Sequence, residues 1–460
     1  MPKLEGERAE AVVNVPSTGA VPPAFLWGLA TSAYQVEGAA FENGRGESIW
    51  DRFCRLPGTI KHGDDGDIST DHYHRFRDDV RLMSRLGLGA YRFSVAWPRV
   101  IPSGRGPVNA PGLDFYDELV DELLLNDIQP FVTLYHWDLP QPLESAGGWL
   151  NRATVDSFVE YVEVVARRLG DRVRMWTTQN EPRISAWYGY GLGIHAPGRN
   201  DGESGAIRAA HNMLLSHGAA SAAIRRDAPG SQVGISHFLS PTYPASEDPR
   251  DLAAAQQIDA MFNRWFLDPV LRCEYPADML DQYSPHLPPT WADDLKIIGS
   301  RPDFLGVNYY YKTVVRAGDD GKPEILRPDG ACTDIGTEIS PGGLLDLLKR
   351  LSDDYVPRSI YITENGASFP DVRVHDGRVR DTERQEFLAD HIGAMTQAIE
   401  AGVPVLGYFA WSLLDSFEWN YGYSARFGLV YVDYATQERV PKDSFHWYRR
   451  LIAPKQSHSA

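Results

Sequence analysis

The sequence predicts an α/β chain folded as a single closed (β/α)8 barrel, with loop insertions at the C-terminal face of its strands. Three observations carry the prediction. Strand-like runs alternate with helix-like runs along the 460 residues, eight strand-like runs can be counted, and no long Pro/Gly/Ser linker interrupts them. Alternation of this kind implies parallel strands joined by helices. Eight uninterrupted units imply a barrel, a fold that reaches more than 400 residues when its loops are extended.

The strand-like runs, in order, are FLWGLATS, AYRFSVAW, QPFVTLYHW, RVRMWTTQN, SQVGISHF, DFLGVNYYY, SIYITENG and PVLGYFAWSL. They are rich in β-branched and aromatic residues, and their ends are rich in polar and aromatic types. Between them lie amphipathic stripes. Tyr116, Leu119, Val120, Leu123 and Leu124 fall at helical spacing, as do Val155, Phe158, Val159 and Val162. Phe387, Leu388, His391, Ile392, Met395 and Ile399 form a third stripe, and Gly402 is placed to end that helix. These stripes are core faces. Residues 21–454 are expected to form the one domain, flanked by a flexible N-terminal tail, 1–20, and a C-terminal tail, 455–460.

Bulk composition narrows the partners. Hydrophobic residues make up 43% of the chain, enough for a large core. The formal net charge of −17 disfavours nucleic acid and anionic membranes. Cys54, Cys273 and Cys332 are odd in number, far apart and without a CxxC pair, which argues against a disulfide framework or a zinc site. His72 and His74 in DHYH raise the idea of a metal, but two histidines so placed read as surface residues, and no metal or cofactor is expected. The N-terminus has no apolar signal core, so the expected location is cytoplasmic. Oligomeric state is not legible.

The chemistry stands at the strand ends, the face on which such barrels carry catalytic groups. Gln35, Arg92, His136, Trp137, Asn180, Glu181, Asn308, Tyr310, Glu364 and Trp411 close the runs, with Glu418 and Trp419 just beyond. Glu181 ends the fourth run and Glu364 the seventh, three strands apart around the ring. Two carboxyl groups facing each other among aromatic rings suit sugar chemistry. Hydroxyls need polar partners, the C–H face of a sugar stacks on tryptophan, and glycoside hydrolysis needs one carboxyl to protonate and another to attack or activate water.

The motifs FLWGLATSAYQVEGA, YRFSVAWPR, TLYHWDLPQ, NEP, HAPG, FLGVNYY, YITENGA, WSLLDSFEW and RFGLVYVDY, in this order, give the chain its resemblance to glycoside hydrolase family 1, the β-glucosidase family. The resemblance runs from Phe25 to about Ile452 and implies a TIM barrel and a metal-free retaining hydrolase of β-linked sugars. It assigns Glu181 as acid/base and Glu364 as nucleophile, with Arg92 and Tyr310 holding the nucleophile ionised. Gln35, His136 and Asn180 match contacts to hydroxyls of the non-reducing sugar. Trp411 matches the platform beneath that ring, and Glu418 and Trp419 match contacts near its 4- and 6-hydroxyls. A retaining mechanism implies carboxyl groups about 5–5.5 Å apart. Two charges about 5 Å apart at an effective dielectric of 20 repel by roughly 3 kcal/mol, about two pKa units, and the repulsion falls on Glu181.

The expected activity is removal of terminal β-D-glucosyl residues from cellobiose, short oligosaccharides or aryl and alkyl glucosides, a step of cellulose and polysaccharide degradation. Alternatives within the class are a transglycosylating enzyme or a β-galactosidase or β-fucosidase. The alternative of another class is a non-catalytic sugar-binding barrel, disfavoured because both glutamates are present. A phospho-sugar branch of the family has serine where this chain has Glu418, and lysine and tyrosine where it has Ala425 and Phe427; a buried anionic Glu418 is expected to repel phosphate. On the aglycone side, Arg183 and Thr337 replace frequent tryptophans, Gln179 stands where an apolar residue is common, and Trp187 and Tyr188 are candidates to compensate. Cys273 stands where glycine is frequent.

Overall fold

The structure, a computed structural model, describes residues 13–373 and 376–453. Of the expected tails, residues 1–12 and all of 455–460 lie outside the described residues. Eight parallel strands close into a barrel: β1 (Leu26–Ala30), β2 (Ala90–Ser94), β3 (Gln129–Tyr135), β4 (Met175–Asn180), β5 (Gln232–Phe238), β6 (Phe304–Asn308), β7 (Ile360–Asn365) and β8 (Val405–Trp411). Each falls inside one of the eight runs of the sequence. They pair in chain order, and β8 closes on β1 with Ala30 opposite Trp411.

Helices follow the strands: α1 (His72–Leu86), α2 (Ala110–Leu125), α3 (Ala153–Leu169), α4 (Gly202–Asp227), α5 (Trp291–Ile298), α6 (Pro341–Tyr355), α7 (Thr382–Glu400) and α8 (Asp443–Ile452). Along α7, Phe387, Leu388, His391, Ile392 and Met395 are buried and Ile399 is partly buried; the helix ends two residues before Gly402 at φ +93°. In α2 the stripe is narrower than read: Tyr116, Leu119, Val120 and Leu123 are buried, whereas Leu124 is 39% exposed. A helix advances 3.6 residues per turn, so adjacent positions cannot both stay centred on one face.

The lower barrel is plugged. Phe131, Phe304, Tyr361 and Phe409 pack edge to face on one another in a cluster with Met175, Ala30 and Ala90. Gly28 and Gly234 make the plug possible, since a Cβ would lie 2.2 Å from Phe409 and 2.4 Å from Phe304 respectively. A barrel filled from below leaves space only at the C-terminal mouth. His72 departs from expectation: it is buried, with Nδ1 2.8 Å from the Asp79 carboxylate, which also takes Arg439. His74 stays exposed between Asp71 and Glu42.

Candidate active site

A pit of about 220 Å³ opens at the C-terminal mouth of the barrel. His136, Glu181, Tyr310, Glu364, Trp411, Glu418 and Trp419 all line it. β4 delivers Glu181 through a left-handed turn, φ +50°, squeezed between the strand end and Pro182. Proline disfavours right-handed helical backbone in the residue before it, so the turn diverts the chain at the position whose side chain faces the pit. Trp137 and Trp419 also have positive φ, and their rings meet at 4.5 Å. Backbone strain of this sort costs stability and persists where the surroundings enforce it.

One buried network ties the two glutamates to the barrel. Arg92, from β2, places Nη1 2.7 Å from Glu364 Oε1 and Nη2 2.7 Å from Asn180 Oδ1. The Tyr310 hydroxyl donates to Glu364 Oε2 at 2.8 Å. Asn308 Nδ2 donates to Glu181 Oε1 at 2.6 Å and to Asn180 Oδ1 at 3.0 Å. Thr363 donates to Asn308 Oδ1 at 2.6 Å, which fixes the amide so that its N–H groups face the carboxyl groups. Asn180, its carbonyl oxygen already taken twice, points Nδ2 at His136 Nε2, 3.1 Å away. That nitrogen accepts, so the His136 proton sits on Nδ1.

The electrostatics separate the two carboxyl groups. Burial and then the negative charge of Glu364 push the Glu181 carboxyl up to about 8. Burial raises Glu364 as well, but Arg92 first, then Tyr310 and Asn308, pull it back towards the ionised form. Among the described residues no cation pairs directly with Glu181. The shared proton therefore belongs on Glu181. Burial pushes Tyr310 far above the usual phenol range, so it remains a donor. Burial, with the Arg92 charge, holds His136 neutral.

Glu418 corrects an expectation. Burial, then the Glu364 charge, push its carboxyl up to about 8, against donation from Gln35 and Trp411. That shift favours the protonated form over the anion expected to repel phosphate. Gln35 is fully buried and donates to the Phe417 carbonyl at 2.7 Å and to Glu418 Oε2 at 3.1 Å. Ala425 and Phe427 are buried and uncharged.

On the outer side two expectations fail. Trp187 turns away from the pit towards Tyr283, with ring centroids 6.4 Å apart. Arg183 does not line the pit: its guanidinium lies 4.3 Å from the Phe238 ring and 4.7 Å from the Phe262 ring, and its charge acts on Glu181, drawing its pKa down. Tyr188 and Thr337 do line the pit. Sequence reasoning gave no role to Trp137, Ile184, His195, Phe238, Asn308, Ile335, Asn420 or Tyr421. Asn308 closes a catalytic strand beside Tyr310, and His195 lies in the HAPG motif, so both carried a signal. Ile184, Phe238 and Ile335 are apolar and carried none.

The family model described as Glycosyl hydrolase family 1 matches residues 17–457. Beta-glucosidase A of Thermotoga maritima is 45% identical over 435 residues, covering 94% of this chain and 97% of its own. Thermostable beta-glucosidase B of Thermobispora bispora is 48% identical over 441 residues, covering 94% and 90%. Among solved structures, the Thermotoga maritima beta-glucosidase in complex with glucoimidazole superimposes with a TM-score of 0.92 at 45% identity, over 94% of this chain and 98% of that one.

Proposed function

The chain belongs to glycosyl hydrolase family 1, and from that premise we infer that it is a retaining β-glucosidase working by double displacement. The single observation that carries the division of labour is the contrast between the two buried carboxyl groups. Glu364 is gripped by Arg92 and Tyr310, while Glu181 is pushed up to about 8 with only an amide as its partner.

In the first step Glu364 attacks the anomeric carbon as Glu181 gives its proton to the leaving oxygen. The bond to the aglycone breaks and an ester to Glu364 forms. Esterification removes the charge that raised Glu181, so its pKa falls and it turns from acid to base. Water, deprotonated by Glu181, then attacks the anomeric carbon and releases the sugar with its configuration retained. Trp411 supplies the platform for the ring; His136, stacked on it with centroids 5.8 Å apart, lines the pit beside it. Gln35, Asn180, Glu418 and Trp419 hold the remaining hydroxyls. In the protonated form that its raised pKa favours, Glu418 can donate as well as accept.

The glucosyl unit is the preferred sugar in this reading, supported by the names of the relatives. A shared β-fucosidase activity is the second reading, favoured by a relative in Bifidobacterium breve named a bifunctional beta-D-glucosidase/beta-D-fucosidase, 44% identical over 467 residues. A place in cellulose degradation and a cytoplasmic setting belong to the same proposal; three unpaired cysteines suit a reducing compartment. Among the described residues no helix is long and apolar enough to cross a membrane. Proton NMR of a nitrophenyl β-glucoside during hydrolysis tests the mechanism. β-Glucose should appear first and mutarotate to the mixture; α-glucose as the first product would overturn double displacement.

A further inference from the structure

Arg183 is a buried cation without a counter-ion. The short helical turn Pro182–Ile184 carries it two residues beyond Glu181, and it is 5% exposed. Phe238, at the end of β5, and Phe262, in the turn Ala260–Arg264, hold the guanidinium at 4.3 Å and 4.7 Å. Its Nη1 has no hydrogen-bond partner, and among the described residues no carboxylate pairs with it. Asp259, one turn before Phe262, is taken by Arg264 and Arg350. Packing alone does not account for this arrangement. A neutral side chain would fill the space between two phenylalanine rings without the cost of a buried, uncompensated charge. Phe238 is also a wall of the pit, so the cation stands behind the lining to which Glu181 belongs.

We propose, on the β-glucosidase reading, that Arg183 is a positioning residue for the catalytic proton: its unpaired charge favours the ionised form of Glu181 and so serves the second step, in which Glu181 is the base. Few groups act on the charge of Glu181. Burial and the Glu364 charge disfavour the anion, while Asn308, then Arg183, then Arg92 favour it. Tyr310 and Tyr311 stay neutral phenols, chiefly through burial. Arg92 is paired directly with Glu364, whereas Arg183 has no such partner. In the first step Glu181 gives its proton to the leaving oxygen and becomes an anion, and Glu364 becomes a neutral ester. Arg183 then keeps Glu181 from taking a proton back from solvent before water attacks. The incoming water supplies the proton that restores the acid.

The test removes the charge in Arg183→Met and Arg183→Gln and keeps it in Arg183→Lys. Two pH curves are read. The alkaline limb of kcat/KM for nitrophenyl β-glucoside reports Glu181 in the free enzyme. Enzyme trapped with a dinitrophenyl 2-deoxy-2-fluoro-β-glucoside regains activity by the second step, and the acid limb of that rate reports Glu181 in the glycosyl-enzyme. A unit charge about 10 Å away at an effective dielectric of 20 moves a pKa by roughly one unit. Both limbs should therefore rise by about half a pH unit or more in the neutral variants and stay within a few tenths in Arg183→Lys. A limb that stays in place in a folded neutral variant overturns the proposal. So does an equal shift in Arg183→Lys, which would make shape rather than charge the cause. If thermal melts show that neither neutral variant folds, the charge serves the fold and the proposal also fails. A wild-type chain that cleaves no nitrophenyl β-glucoside would instead overturn the β-glucosidase reading on which the proposal rests.

Discussion

Arg92 and Glu364 form a fully buried ion pair, Nη1 to Oε1 at 2.7 Å, and the same guanidinium holds Asn180, the residue before Glu181. One cation thus serves both sides of the pit. It keeps negative charge on the residue that attacks and fixes the strand end that carries the proton donor. A buried pair of this kind loses several kcal/mol when one partner is removed, because the other charge is left stranded.

The pH profile follows from the two carboxyl groups. In the free enzyme Glu181 must carry a proton and Glu364 must not. Above about 8 the Glu181 proton is lost, so kcat/KM should fall on the alkaline side near that value. On the acid side it should fall as Glu364 takes a proton, at a pH above the ordinary glutamate value because burial raises it. The measured curve of kcat/KM should be a bell whose alkaline limb lies near 8. An alkaline limb near the usual carboxyl range would contradict the assignment of Glu181.

Glu181→Ala separates proton transfer from attack. With a glucoside whose leaving group needs a proton, kcat should drop by about 10²–10⁴. With dinitrophenyl β-glucoside the first step should survive, giving a burst followed by slow turnover. Azide should restore turnover and yield the β-glucosyl azide. An equal loss on both substrates with no rescue would count against the acid/base role.

Asp138 supplies a prediction about stability. It is buried, neither carboxyl oxygen has a protein partner, and burial with the Glu37 charge pushes it up to about 8. The native chain holds this proton more tightly than the unfolded chain does. The stability tied to it is full below the unfolded value of 3.8 and is lost as pH climbs to about 8. Asp138→Asn removes that loss. Thermal melts should show it near neutral at pH 4 and stabilising at pH 8, by an amount on the order of a few kcal/mol. Equal effects at both pH values would show that Asp138 does not stay protonated.

The barrel was legible because buried parallel strands leave continuous apolar runs in the sequence, and all eight strands lie within such runs. The inner site was legible because catalytic side chains of this fold stand at strand ends, where Arg92, Glu181 and Glu364 break the apolar pattern. The outer wall was not. Trp187 and Tyr188 are equivalent on paper, yet residues Ser185–Gly191 form a π-type turn wider than an α-helix. The wider turn brings Tyr188, four residues on, back to the face of Ile184 and swings Trp187 well off it. The raised pKa of Glu418 was hidden for another reason: sequence records a carboxyl group but not its surroundings.

The most direct test of the central claim is to trap the covalent intermediate. A dinitrophenyl 2-deoxy-2-fluoro-β-glucoside reacts at the first step and is released slowly, so the adduct can be digested and located by mass spectrometry. The expected result is one fluoroglucosyl group on the peptide containing Glu364, on that side chain. An adduct on Glu181, or stoichiometric release of dinitrophenol with no adduct on the protein, would contradict it.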